Sequence, residues 1–321
     1  MRSTGKRRAR GEGGKAPRRE DGANPRVNLY DEVTRKIISE LEAGRFPWVQ
    51  PWDSGVAGGP GLPLNALTGR RYSGINVLLL WGAAISGGYP SQGWLTFRQA
   101  LEAGGNVRKG EKGTMVVYAD RFVPEAEKAK AAERGEDAKA VPFLKRFTVF
   151  NLAQCEGLRE GLARNPAPLP EREIVPHAEA LIEATGADIR IGGAQAFYSP
   201  SGDYIQVPPQ PAFRDQINYY RTVFHELSHH SGARHRLNRD LSGRFGSKPY
   251  AREELCAEIS AAFICAALGI VPTVRHADYV GSWLEVLRED NRAIFRAASQ
   301  ASKAADFILA FGEAEDGRIA A

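Results

Sequence analysis

Two histidines and the glutamate between them define the chemistry this sequence can do. His225-Glu226-Leu227-Ser228-His229 fits the pattern H-E-x-x-H. Four of the chain's six histidines (His225, His229, His230 and His235) fall within the eleven residues 225–235. On a helix, residues four apart lie one turn apart on a shared face, so the imidazoles of His225 and His229 can both reach one Zn²⁺. Glu226, next to the first imidazole, can stand beside the cation without ligating it. There it can take a proton from water whose pKa the metal has lowered to near 7. The bland alternative is a chance match. The clustering of histidines on a well-formed amphipathic segment weighs against it.

Such a site needs a third protein ligand and one open position. Two residues compete for the role. His235 completes H-E-x-x-H-x-x-G-x-x-H with Gly232 at the turn, but that pattern also requires a downstream methionine turn, and the only methionines are Met1 and Met115. The segment Ala251–Glu258 instead offers Glu254 and Glu258 four apart on a second helix. One carboxylate can then meet the metal while the other holds a ligand histidine from behind. Glu254 is the preferred ligand, Glu258 its outer partner, and His235 stays open as the alternative. Tyr250, just before Glu254, is a candidate oxyanion donor, with packing as its more ordinary role.

The elements that must position these groups can be read from periodicity. Ile217, Tyr220, Phe224 and Leu227 form an apolar stripe across from the histidines, and Gly232 is a stop signal. Helices are expected over roughly 214–231, 251–268 and 276–297, preceded by one from His177 to Thr185. Strands are expected around Ile189–Ile191, Ala194–Tyr198 and Tyr204–Val207, the last two joined as a hairpin by Ser199-Pro200-Ser201-Gly202-Asp203. Tyr204–Val207 is taken as an edge strand able to accept an extended peptide.

Upstream, Asn165-Pro166-Ala167-Pro168-Leu169-Pro170 is the best linker in the chain. Before it come a helix with Val33, Ile37, Ile38 and Leu41 on one face, then a Pro/Gly-rich loop carrying Trp48 and Trp52. A mostly apolar helix, a helix from Thr96 to Ala103, and strands at Met115–Tyr118 and Phe147–Phe150 follow, with residues 124–141 as a charged insertion. The expected fold is α+β in two domains, 27–165 and 171–321, behind a disordered basic tail, 1–26.

Composition narrows the class. Of 321 residues, 43% are hydrophobic and 25% charged, the balance of a soluble globular protein. No apolar run is long enough for a transmembrane helix, and the basic N-terminus lacks the apolar stretch of a secretory signal. Three cysteines without CxxC spacing suggest buried thiols in a reducing cytoplasm. The net charge of +5 is misleading, because residues 1–26 hold nine Lys/Arg against three acids and the remainder sums to about −1. Charge alone therefore does not establish a nucleic-acid partner. Aromatics suited to base stacking are nonetheless present in the first domain (Trp48, Trp52, Tyr72, Trp81, Trp94, Phe97), accompanied by Arg70, Arg71, Arg98, Arg108, Lys109 and Lys112. Of these, Trp81 and Phe97 read as core. Trp48, Trp52, Arg70, Arg71, Tyr72, Trp94, Lys109 and Lys112 are the candidate DNA contacts.

The segments YDEVTRKIISELEAG, NALTGRRYSGINVLLLW, GWLTFRQALEAGGNVRKGEKGT, YYRTVFHELSHHSGARHRLNRDL and YAREELCAEISAAFICAALGI together resemble the ArdC-type antirestriction proteins of conjugative plasmids. That resemblance implies a single-stranded-DNA-binding N-terminal domain joined to a zincin-like metallopeptidase domain built on an H-E-x-x-H helix. It implies Zn²⁺ ligands at His225, His229 and the glutamate of the next helix, with Glu226 as catalytic base. It also implies a cytoplasmic role at incoming plasmid or phage DNA, acting on proteins bound to it. Two rivals stand beside it: a non-catalytic DNA-binding shield with a structural metal, and a peptidase that cleaves a regulatory protein.

Overall fold

A computed structural model describes residues 28–49, 61–123, 127, 141–162, 175–213, 215–271 and 279–319. The basic tail, Trp52 and the 165–170 linker lie outside these. Among the described residues no helix is long and apolar enough to cross a membrane.

The first half opens on α1 (Leu29–Glu42), where Asn28 Oδ1 accepts the Tyr30 N–H and Val33, Ile37 and Leu41 face inward. The helix α2 (Ile75–Gly87) is apolar almost all round and accordingly buried. Around it run β1 (Leu64–Asn65), β2 (Gly93–Leu95), β3 (Asn106–Val107), β4 (Thr114–Phe122), β5 (Val141–Asn151) and β6 (Cys155–Glu156). The short α3 (Phe97–Glu102) starts at a capping box in which Thr96 and Gln99 satisfy each other's backbone N–H groups. The main sheet runs β1-β2-β5-β4, and β4 and β5 form a long antiparallel ribbon.

The second half holds α4 (Pro176–Ala184), a three-stranded sheet of β7 (Asp188–Ile191), β8 (Phe197–Ser199) and β9 (Tyr204–Val207), then α5 (Ile217–Ser231), α6 (Lys248–Ala267), α7 (Val280–Glu289) and α8 (Ala293–Ile319). Two expectations are corrected here. The sheet order is β7-β9-β8, with β9 parallel to β7 and antiparallel to β8. Tyr204–Val207 is therefore the central strand, its backbone groups used on both sides, and β8 is an edge. The single last helix is in fact two, broken at Asp290-Asn291-Arg292, where Asp290 takes an extended conformation.

The two halves share one apolar core. Val33, Ile37, Trp48 and Leu78 belong to the same buried cluster as Phe224, Ile259, Trp283 and Ile294. Across the seam Trp81 meets Phe263 edge-on at 5.5 Å, and Tyr30 meets Phe295 at 4.7 Å. A continuous line of rings runs Phe46–Trp48–Trp283–Tyr279–Tyr250, each step between 5.7 and 6.3 Å. Polar ties accompany it: Gly74 N–H donates to Ser302 Oγ, and Thr34 Oγ1 to the Asn291 carbonyl, each at 2.7 Å.

Candidate metal centre

The α5 helix is enclosed on nearly every side. Ile217, Tyr220, Phe224 and Leu227 pack into the core as their spacing requires, and His225 and Glu226 are buried too. Burying such polar groups is costly unless each finds a partner. Most of the buried polar groups have one in view. Ser228 Oγ donates to the Phe224 carbonyl and meets Ser260 Oγ at 2.9 Å, and Arg221 Nε donates to the Val271 carbonyl. The partners of the histidines come from α6, which is started by Ser247 as N-cap with Pro249 in its first turn and lies packed along α5.

Among the described residues, His225, His229 and Glu254 form the one group of three such side chains whose donor atoms all lie within 4.8 Å of one another. The two Nε2 atoms face each other at 3.2 Å. Glu254 Oε2 is 3.5 Å from His225 Nε2, and Oε1 is 3.4 Å from His229 Nε2. Ligands about 2.0–2.1 Å from a tetrahedral ion sit roughly 3.3 Å from one another, so the donor set fits a cation such as Zn²⁺. Behind the rings, Glu258 Oε2 lies 3.3 Å from His225 Nδ1 and Glu253 Oε1 lies 3.1 Å from His229 Nδ1. Each imidazole is thereby set to keep its proton on Nδ1 and present the Nε2 lone pair.

The surroundings favour positive charge at this spot. Burial alone pushes the His225 and His229 imidazoles toward the neutral form. The carboxylates beside them outweigh it, raising His225 to about 9 (Glu254, Glu258) and His229 to about 10 (Glu253, Glu254). Burial would likewise raise Glu254, yet the two histidines hold its carboxyl far below the usual range. Proton and metal cation compete for the same pocket of negative potential.

The open side of the group faces a cleft of about 460 Å³. Glu226 lines it together with Tyr250, Tyr279, Phe245 and, from the β8 edge, Phe197 and Tyr198. The Tyr250 hydroxyl meets that of Tyr279 at 3.1 Å, and burial with neighbouring Tyr279 and Glu254 pushes it well above the usual phenol range.

His235 is absent from the metal group. Its side chain is 64% exposed and turned to Asp203, at 3.3 Å. The letter-for-letter extension of the motif does not bring His235 into the group. Glu253 and Arg239 were not among the sequence candidates. Cys256 and Cys265 are buried, and burial raises both thiols to about 12, so they are inert packing groups.

The candidate DNA contacts divide. Arg70, Arg71, Lys109 and Lys112 are exposed, and Tyr72 is half-buried against the core. Trp48 and Trp94 are 0% exposed and are corrected to core residues: Trp48 is seated on Trp283, and Trp94 is packed with Leu80, Val116 and Val149. Conversely Phe97, read as core, is 54% exposed, and Tyr118 (59%) and Phe147 (48%) stand out from the β4–β5 ribbon.

Comparison with known proteins agrees with this layout. Residues 27–150 match the family model of the N-terminal domain of anti-restriction factor ArdC, and residues 176–300 match that of a zincin-like metallopeptidase. The chain is 43% identical to protein y4eC of Sinorhizobium fredii, over 88% of its own length and 92% of the relative's. It is 40% identical to DNA primase TraC of Escherichia coli over 88% of this chain, which spans only 27% of TraC. The crystal structure of the antirestriction protein ArdC from plasmid R388, solved metal-free, superposes with a TM-score of 0.75 at 41% identity, covering 89% of this chain and 98% of that one. Its Mn(II)-bound form gives 0.72 at 42% identity with the same coverage. With both halves matched in the same order and likeness extending over nearly the full length of two relatives, the chain belongs to the ArdC family of antirestriction proteins.

Proposed function

We propose that this chain binds single-stranded DNA through residues 27–165 and hydrolyses peptide bonds through residues 171–321, as a zinc-dependent antirestriction protein of the cytoplasm. The observation that carries the hydrolytic reading is the pair of Nε2 atoms 3.2 Å apart with one Glu254 oxygen 3.5 Å from the first and the other 3.4 Å from the second, and Glu226 lining the cleft beside them. Two imidazoles and one carboxylate suit zinc; the R388 relative was solved with Mn(II). When bound, the metal supplies Lewis acidity toward a water and a carbonyl oxygen. The chain's own residues do the rest. Glu226 holds the carboxylate that receives the water's proton and returns it to the leaving amine. Tyr250 offers a phenol O–H, kept protonated by its surroundings, to charge developing on the carbonyl oxygen. The β8 edge gives an extended peptide backbone groups to pair with beside the cleft.

The DNA reading is supported by the exposed rings of Phe97, Tyr118 and Phe147 together with the exposed cations of the first half. A protein bound to incoming plasmid or phage DNA is then the natural substrate, brought to the cleft by the strand it occupies.

The test is Glu226→Gln in the full chain. Metal content and DNA affinity are expected to stay at parent levels while hydrolysis and protection of incoming DNA from restriction are lost. A variant that protects DNA as well as the parent does would replace this reading with that of a shield whose metal is structural.

A further inference from the structure

Arg239 lies on the irregular segment 232–247 between α5 and α6, and its side chain is only 5% exposed. The guanidinium is gripped from several directions. Nε donates to Glu253 Oε2 at 3.0 Å, Nη2 to Glu253 Oε1 at 2.7 Å, and Nη1 to Ser231 Oγ at 2.9 Å. Nη2 also donates to the Ser228 carbonyl, and the Arg239 backbone N–H closes on the Gly232 carbonyl at 2.8 Å.

Gly232 belongs to the same arrangement. Its φ of −76° demands no glycine, but a Cβ there would stand 2.8 Å from Arg239 Nη2 and 3.0 Å from Cζ. The missing side chain is the space the guanidinium occupies.

The residues that follow Arg239 build one wall of the cleft over the histidines, through Asp240, Leu241, Gly243 and Phe245. That wall is pressed onto the start of α6, since a Cβ on Gly243 would lie 2.3 Å from the Tyr250 nitrogen.

We infer that Arg239 is a positioning residue that ties metal occupancy to the shape of the substrate cleft. Through Glu253 it fixes the tautomer and orientation of His229, and through its place in the chain it anchors the wall at 240–245. The inference rests on the metal-site reading above. A cation on His229 Nε2 makes the Nδ1–H a stronger donor and fixes Glu253, the carboxylate on which the Arg239 guanidinium also closes. Because coupling is reciprocal, a substrate that orders the wall tightens the metal by the same factor.

The experiment uses the full chain with Zn²⁺ as the probe, and reads metal affinity by chelator competition and amide exchange over residues 238–247. In the parent, Zn²⁺ is expected to slow exchange across that segment. Glu253→Gln and Arg239→Lys are expected to weaken Zn²⁺ binding by about 10- to 100-fold, the usual effect of removing a ligand's outer partner, and to abolish the Zn²⁺-dependent slowing. Lysine keeps the charge but not the fork, so its failure would identify geometry as the cause. Gly232→Ala is expected to act in the same direction. Should the variants fold poorly, the parent alone decides: a segment whose exchange ignores Zn²⁺ overturns the coupling. A parent that binds Zn²⁺ while Glu253→Gln binds it within two-fold overturns the positioning role only. A parent that takes up no Zn²⁺ refutes the metal-site reading itself.

Discussion

Loading the site with metal should raise the melting temperature, and the size of the rise reports how the chain unfolds. Four carboxylates, those of Glu226, Glu253, Glu254 and Glu258, converge on two imidazoles, with Arg239 the cation gripped beside them. Three of the four are buried in the folded chain, and Glu253 nearly so. Binding a dication to the folded state alone, at a concentration a thousand times its Kd, stabilises that state by about 4 kcal/mol. If the shared core makes the halves unfold together, a cooperative unit of roughly 250 residues has an unfolding entropy near 0.5 kcal/mol/K, and the rise is about 8 °C. If the second half melted alone, the same energy spread over about half the residues would give roughly 16 °C. The assay is calorimetry of the chelator-stripped chain with and without Zn²⁺. A single transition moving by the smaller amount is expected, and Glu254→Ala should abolish the shift. No shift in the parent, or an equal shift in Glu254→Ala, would refute the assignment of the third ligand. Two transitions, with only one moving, would refute the shared cooperative unit.

Four further outcomes are expected. His235→Ala should leave Zn²⁺ affinity unchanged in chelator competition, whereas a large loss would restore it as a ligand. Trp48→Ala should cost about 3–5 kcal/mol of stability in denaturant titration. Tyr118→Ala and Phe147→Ala should leave stability nearly untouched but lower affinity for a labelled single-stranded oligonucleotide by about 1–3 kcal/mol per lost stack, read by anisotropy at fixed salt; unchanged affinity would move the strand elsewhere. Arg236, with the Tyr198 hydroxyl, holds Asp203 down at about 2, below its ordinary value of 3.8. A carboxyl depressed in the folded state stabilises the fold above its unfolded pKa and loses that contribution as pH falls through the folded one. The melting-temperature gap between parent and Asp203→Asn should therefore be widest above about pH 4 and close toward pH 2, and it should be small because the side chain is part-exposed.

The site was more legible than its setting. Spacing of four residues places His225 over His229 and Glu254 over Glu258, whatever the rest of the chain does, because helix geometry is local. Glu253 was invisible for the same reason. It is offset by about 100° around the helix from Glu254, and Arg239 from the preceding segment, with His229, turns that flank inward. Trp48 and Trp94 were misread because a tryptophan among basic residues reads alike whether it meets a base or a core. What buries Trp48 is Trp283, far along the chain. The central place of β9 is likewise a matter of pairing, since chain order β7, β8, β9 gives no sign that the third strand inserts between the other two. No glycine or proline announces the break after α7; an aspartate in extended conformation makes it.

The line of rings from Phe46 to Tyr250 makes this protein hard to take apart. Cutting the chain between its halves would expose the Trp48 and Trp283 indoles, which now pack on each other, to water. TraC, a far longer chain, carries the likeness across both parts in the same order. The β4–β5 ribbon and the cleft over the histidines are thus carried together in both chains.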